Sequence, residues 1–184
     1  MPIQHISTNI LKKMGRKTTK EKIESLIDKL REKIPSITLR TSLITGFPGE
    51  EESDHEILKT FLKEYKLDKV GVFTYSKEEG TSAANFENQI DDDTKQKRYS
   101  ELMSIQNKVS LEINKGKISQ KCEVLVEGYD ESEFSYVGRC SFDSPEVDAL
   151  AYIYSERELF QGDIVDCEII DYNDYDVSVK VIND

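Results

Sequence analysis

The 184 residues contain no tryptophan, four prolines, two histidines and three cysteines. Each scarcity excludes something. Cys122, Cys140 and Cys167 are spaced far from any CxxC-type pattern that holds zinc or an iron–sulfur cluster, so they read as buried strand thiols. His5 and His55 are too isolated to make a metal site without acidic help. No stretch approaches the roughly 20 apolar residues of a membrane span, and no basic start leads into an apolar run of the secretory kind, so a cytoplasmic protein with no membrane partner is expected. Neither GxxxxGK[ST] nor GxGxxG occurs, which removes P-loop and classical dinucleotide sites.

What is abundant is negative charge, and it is unevenly placed. The net charge is −11, with residues 1–117 carrying about +2 and residues 118–184 about −13. A 37% hydrophobic content in a chain of this length suits one or two globular domains.

Hydrophobic periodicity changes at the same place as the charge. Ile23, Leu26, Ile27, Leu30 and Ile34 follow helical spacing and predict a helix over 18–33, with Thr18-x-x-Glu21 as a capping box and Pro35 as the stop. A β-branched strand over 37–45 follows. Next come a helix from 51 or 53 to 65 presenting Ile57, Leu58, Phe61 and Leu62, a strand over 69–75, and a helix over 92–114. From 118 onward the pattern becomes short alternating strands: Cys122, Val124 and Val126, then Val165, Cys167 and Ile169, then Tyr175, Val177, Val179 and Val181. Strand–helix–strand spacing predicts an α/β parallel sheet, and five short strands predict a small closed OB-like barrel.

The stretch "LRTSLITGFPGEE" joins strand to helix. In parallel α/β sheets the strand ends and the following turns form the ligand edge, and Gly46 and Gly49 would let the backbone approach a ligand without a Cβ. The alternative is a plain tight turn, with residues 50–54 complementing the helix dipole. The carboxylates at this helix start argue against phosphate as a ligand.

The stretches "MPIQHISTNILKKMGRKTT", "LRTSLITGFPGE", "DKVGVFTYSKEEGTSAA" and "KRYSELMSIQNKVSLEIN", followed by an acidic β module, resemble the methylthiotransferase branch of the radical S-adenosylmethionine enzymes. The resemblance implies the second half of a radical SAM TIM-like (β/α) barrel over 1–117, then a TRAM (OB-like) barrel over 118–184 that binds substrate. Two classes compete: the RimO class, which methylthiolates the β-carbon of an aspartate in a small-subunit ribosomal protein, and the MiaB class, which acts on an adenosine of transfer RNA. Tyr75-Ser76-Lys77-Glu78-Glu79-Gly80-Thr81 stands where the transfer-RNA enzymes typically read YSxRPGT, and "VGRCSFDSPEVDALAYI" is similar to a GRxxxxAPEVDG segment of the ribosomal-protein class. Both departures favour the RimO class. A barrel this acidic would repel a polyphosphate and attract a basic ribosomal protein, so nucleic acid is not expected as its direct ligand. A non-catalytic acidic module that binds a basic partner is a further alternative.

The family's cofactors are S-adenosylmethionine and 4Fe-4S clusters, and the CxxxCxxC ligands are not found in these residues. Met1-Pro2 accordingly reads as a truncated start, an internal initiation or an expressed fragment, inert alone. The resemblance carries candidate roles residue by residue. Gln4, His5 and Ser7 match a strand end whose polar residues face cofactor and substrate, with Gln4 and Ser7 assigned to cofactor and His5 to substrate; capping of a short helix over 9–14 is the alternative. Arg40 is a candidate for a carboxylate, or merely a solvated strand start. Leu43, Ile44, Gly46 and Phe47 match the stretch near the adenine, and Val72, Phe73 and Tyr75 match the next strand. Ser76 is a substrate candidate, as are Glu123 and Glu127 on the acidic face, whose alternative role is solubility.

Overall fold

The structure, a computed structural model, describes residues 1–145 and 147–182. Glu146, within the PEVD stretch quoted above, lies outside them. The chain divides into two compact units, Met1–Val109 and Ser110–Asp184.

In the first unit, a short helix α1 (Thr8–Lys13) is followed by α2 (Lys20–Lys33), β1 (Arg40–Thr45), α3 (Glu52–Tyr65), β2 (Lys69–Thr74), a 3-10 turn (Ser82–Asn85) and α4 (Asp92–Lys115), which crosses the unit boundary. β1 and β2 pair in parallel from Arg40↔Lys69 to Thr45↔Thr74. Gln4 adds a single parallel bridge on the other side of β1, donating its N–H to Ser42 O at 2.8 Å and accepting from Ile44 N at 2.6 Å.

Alternation sorts β1 between two faces. Thr41, Leu43 and Thr45 are buried, and Leu43 packs with Ile23, Ile27, Leu58, Phe61, Leu62 and Leu102 into one apolar core. Arg40, Ser42 and Ile44 take the other face, as do Gly71 and Phe73 of β2, and Phe73 is 58% exposed.

Several sequence expectations shift by a residue or more. α2 is capped by Thr19, not Thr18: Thr19 is extended and its hydroxyl accepts from Lys22 N, so the helix begins at Lys20. Only Ile23 and Ile27 are buried along it, while Leu26 and Ile34 are exposed at the flank of the stripe. β1 starts at Arg40 rather than 37, because Ile37 N–H closes a turn onto Ile34 O and Leu39 N–H is taken by the Asp68 carboxylate at 2.8 Å.

The second unit is a closed barrel of β3 (Lys121–Asp130), β4 (Ser135–Cys140), β5 (Ala151–Tyr154), β6 (Ile164–Tyr172) and β7 (Val177–Val181) in the order β3-β4-β5-β7-β6. Every pairing is antiparallel except β5–β7. That order is the five-stranded Greek-key arrangement of an OB-type barrel, in agreement with the expected fold class. Val124, Val126, Ile153, Val165, Cys167, Ile169, Val177, Val179 and Val181 fill the interior. Tyr175 lies before β7 and is exposed, so the alternating run is one step shorter than the sequence suggests. Gly138 is required where β3 and β4 approach, since a Cβ there would run into the Leu125 carbonyl oxygen.

Candidate functional site

At the C-terminal ends of β1 and β2 a cavity of about 630 Å³ opens on the uncovered face of the sheet. Its walls come from Gln4, Ser42, Ile44 and Phe47, from the segment Phe73 to Ser76, and from Met14 and Arg16 after α1. Glu78, Thr81 and Ala83 close the far side.

The turn after β1 shapes one wall. Gly46 and Gly49 both sit at φ +75°, a left-handed conformation that glycine adopts without strain. A Cβ at Gly46 would collide with the Lys95 side chain, and one at Gly49 would lie 2.7 Å from Lys13 Nζ, which donates to Gly49 O at 2.8 Å. Beneath the turn Glu50 is buried. Its carboxylate accepts from Gly46 N at 2.7 Å, Phe47 N at 3.2 Å and Thr45 Oγ1 at 3.1 Å, and pairs with Arg98 Nη1 at 3.2 Å. Burial pushes the Glu50 carboxyl up, but His5, Arg98 and the Gly46 N–H outweigh it and hold the pKa below the ordinary value. Of the three consecutive glutamates, then, Glu50 braces the turn from inside. Glu51 caps α3, with Asp54 Oδ2 accepting from its N–H at 3.0 Å, and Glu52 stands in the first turn.

Phe47 meets Tyr75 edge-to-face at a centroid distance of 5.2 Å and Phe86 at 6.2 Å. Lys95 Nζ stands 5.8 Å from the Tyr75 ring centroid. The Tyr75 hydroxyl is buried with no hydrogen-bond partner among the described residues. Ser76 donates to Glu78 Oε1 at 2.8 Å, ordering the outer rim. Gln4 holds φ +70°, which is uncommon for a residue with a side chain and places it at the cavity wall.

The sequence candidates therefore separate. Gln4, Phe47, Phe73, Tyr75 and Ser76 line the cavity, and Gly46 carries its turn. His5 is fully enclosed: Nδ1 accepts from Ser7 N at 2.9 Å, which puts the ring proton on Nε2, 3.7 Å from Glu50 Oε2. Ser7 is buried and donates to Asp54, so its hydroxyl does not cap α1 either. Leu43 is core on the opposite face. Arg40 stands at the start of β1, the far end from the cavity, where its carbonyl accepts from the Met1 ammonium at 2.7 Å. Met14, Arg16, Glu78 and Thr81 were not foreseen as wall residues; the one local signal was Gly15, whose φ of +72° turns the chain between Met14 and Arg16.

On the barrel, Glu123 and Glu127 are both exposed on β3. Glu123 faces Asp166 of β6 across the ladder, and Glu127 accepts from Arg139 Nε at 2.7 Å. Among the described residues no group of three His, Cys, Asp or Glu side chains could hold a metal ion, and no helix is long and apolar enough to cross a membrane.

Residues 118–182 match the TRAM domain family. Across its full length the chain is 50% identical to a protein of Clostridium botulinum (strain Hall) named ribosomal protein uS12 methylthiotransferase RimO, covering 41% of that relative. It is 47% identical over 177 residues to the RimO of Caldanaerobacter subterraneus, covering 40% of it, and 54% identical over 153 residues to that of Clostridium perfringens, covering 34%. The chain thus spans about two fifths of the length of the relatives it matches throughout. With a half-open parallel α/β unit, a cavity at its strand ends and an OB-type barrel that matches the TRAM domain family, the chain is similar along its whole length to part of the RimO methylthiotransferases.

Proposed function

We propose that this chain supplies the S-adenosylmethionine-facing wall and the substrate-docking barrel of a radical SAM methylthiotransferase that modifies the β-carbon of an aspartate in a basic small-subunit ribosomal protein, the uS12 of the relatives' names. The observation that carries the reading is the cavity at the C-terminal ends of β1 and β2, in a chain similar along its whole length to RimO proteins.

The wall suits the cofactor. Phe47 and Tyr75 offer aromatic surface to a purine, and the partnerless Tyr75 hydroxyl offers a hydrogen bond. Gln4 and Ser42 add polar groups beside Ile44, and Arg16 gives a guanidinium suited to a carboxylate. Glu78 adds an acidic group suited to a sulfonium's positive charge. S-adenosylmethionine, when bound and reduced, supplies the radical chemistry; the residues here bind and orient it and shield its adenine from water. The iron–sulfur clusters of such enzymes do not fit this residue set, because among the described residues no three His, Cys, Asp or Glu side chains are placed to hold a metal ion.

The barrel, whose strands run from Lys121 to Val181, is the docking module for the basic protein. Glu123 opposite Asp166 is a paired negative site on its outer face, and acidic character over the barrel does not favour transfer RNA.

Two titrations test the reading. Calorimetry with S-adenosylmethionine should show binding that Tyr75→Ala weakens severalfold. Titration with the ribosomal protein and with transfer RNA at several salt concentrations should show protein binding that declines with salt. Preferential transfer-RNA binding would overturn the substrate assignment.

A further inference from the structure

Three cysteines distant in sequence converge in the barrel. Cys122 of β3 is the register partner of Cys167 of β6. On the β4 side Val124 stands opposite Cys140, so Cys122 and Cys140 are diagonal neighbours on the same face, with Sγ atoms 3.9 Å apart. None is in a disulfide; Cys140 and Cys167 are buried, whereas Cys122 is half-buried and is the thiol a small solute can reach.

The surroundings make the two thiols unequal. The Cys140 S–H hydrogen bond to Cys122 sulfur favours a thiolate at Cys122; burial and Asp143 oppose it, and the ammonium of Lys117 supports it. The same bond and burial push the Cys140 thiol up. Lys117 itself is held over the Phe142 ring, 4.0 Å from its centroid, and donates to Asn114 Oδ1 at 3.2 Å. This is the polarised, partly exposed setting in which a cysteine reacts with peroxides.

We propose that Cys122 and Cys140 form a peroxide-oxidisable pair that closes to a reversible disulfide between β3 and β4. Cys122 thiolate attacks a peroxide oxygen, the O–O bond breaks, hydroxide leaves and takes a proton to become water, and Cys122 becomes a sulfenic acid. Cys140 sulfur then attacks Cys122 sulfur; the S–O bond breaks, and the hydroxyl leaves with the Cys140 proton as a second water. Hydrogen peroxide is the oxidant, reduced to two waters as two thiols become one disulfide.

The required movement is short, from 3.9 Å to a bond of roughly 2.05 Å. Cys140 is the last residue of β4, opposite Val124, and is followed by a turn in which Asp143 N–H reaches Cys140 O at 3.0 Å; beyond it the bond from Ser141 N–H to Glu123 O, at 3.3 Å, is long, so a shift of Cys140 disturbs the end of the ladder and leaves the pairs from Arg139 inward in place. Cys167 lies within β6, paired to β3 on one side and to Val181 of β7 on the other, and has less freedom to approach.

The test treats the reduced 184-residue chain with hydrogen peroxide, alkylates remaining thiols and maps peptides without reduction. The expected product is a Cys122–Cys140 cross-link, reversed by dithiothreitol, with a barrel Tm raised by roughly 5 °C or more. In Cys140→Ser, dimedone should label Cys122. A cross-link through Cys167, only intermolecular cross-links, or full alkylation of all three thiols at a peroxide dose that oxidises the urea-unfolded chain would each overturn the proposal. The wild-type map decides the matter even if the variant fails to fold.

Discussion

Glu123 of β3 stands directly opposite Asp166 of β6, both exposed on the outer face of the barrel. Like charges facing one another across antiparallel strands destabilise the pair. Glu123→Lys converts it to an attractive one and should stabilise the barrel by about 0.2–1 kcal/mol in chemical denaturation. If the proposed docking of a basic ribosomal protein uses this face, the same change should slow that association at low salt. A variant that gains stability yet docks at an unchanged rate would remove this pair from the docking face.

Glu50 is the buried brace of the Gly46-Phe47 turn, and its replacement tests how far that turn depends on one carboxylate. Glu50→Gln leaves Arg98 without its buried counter-charge and puts an amide donor against backbone N–H groups, so the first unit should lose about 3 kcal/mol. Because the folded pKa is held below the ordinary 4.5, the wild-type contribution is complete above that value and disappears as pH falls through the lower folded one. The gap between wild type and variant should therefore narrow in acid. A constant gap down to the lowest pH at which the unit is folded would contradict the assignment.

Gly46→Ala should cost about 1–2 kcal/mol from the left-handed backbone alone, with a further loss from contact with Lys95. Lys95→Ala in the same chain should return only the second part. Complete rescue, read by thermal melts, would show that the backbone conformation carries no strain.

Gly138→Ala places a methyl group against the Leu125 carbonyl of the neighbouring strand, where no side chain can swing aside. About 1–3 kcal/mol of barrel stability should be lost, the usual range for overpacking. Gly128→Ala on β3, where nothing lies within 4 Å of the new atom, is the control and should cost less.

Helix positions and the change to short alternating strands were legible because a 3.6-residue rhythm and a two-residue rhythm are local properties. Which face of β1 meets the cavity was not. Thr41, Leu43 and Thr45 alternate with Ser42 and Ile44, and the two sets are similarly apolar, so only packing against α3 shows that Leu43 is core while Ile44 lines the cavity. Phe47 and Tyr75 were expected near the cofactor from the family resemblance alone, and both line the cavity at the strand ends. Arg16 follows a local turn at Gly15 but meets the cavity only because β1 and β2, distant in sequence, build its other walls, and His5 and Ser7 are drawn inward by Glu50 and Asp54, partners 45 or more positions away. The nearness of Cys122 to Cys140 and Cys167 depends on strand register, which spacing alone does not set.

β7 lies between β5 and β6 although it is last in sequence. While the chain is being synthesised, β3, β4 and β5 can form a meander and β6 can join β3, but β5 and β6 each keep an open edge until Val177–Val181 arrives. The final strand acts as a keystone. The barrel therefore closes in one late event during biogenesis, and a nascent chain halted before Val177 presents two unpaired edges to the quality-control machinery instead of a smaller folded barrel.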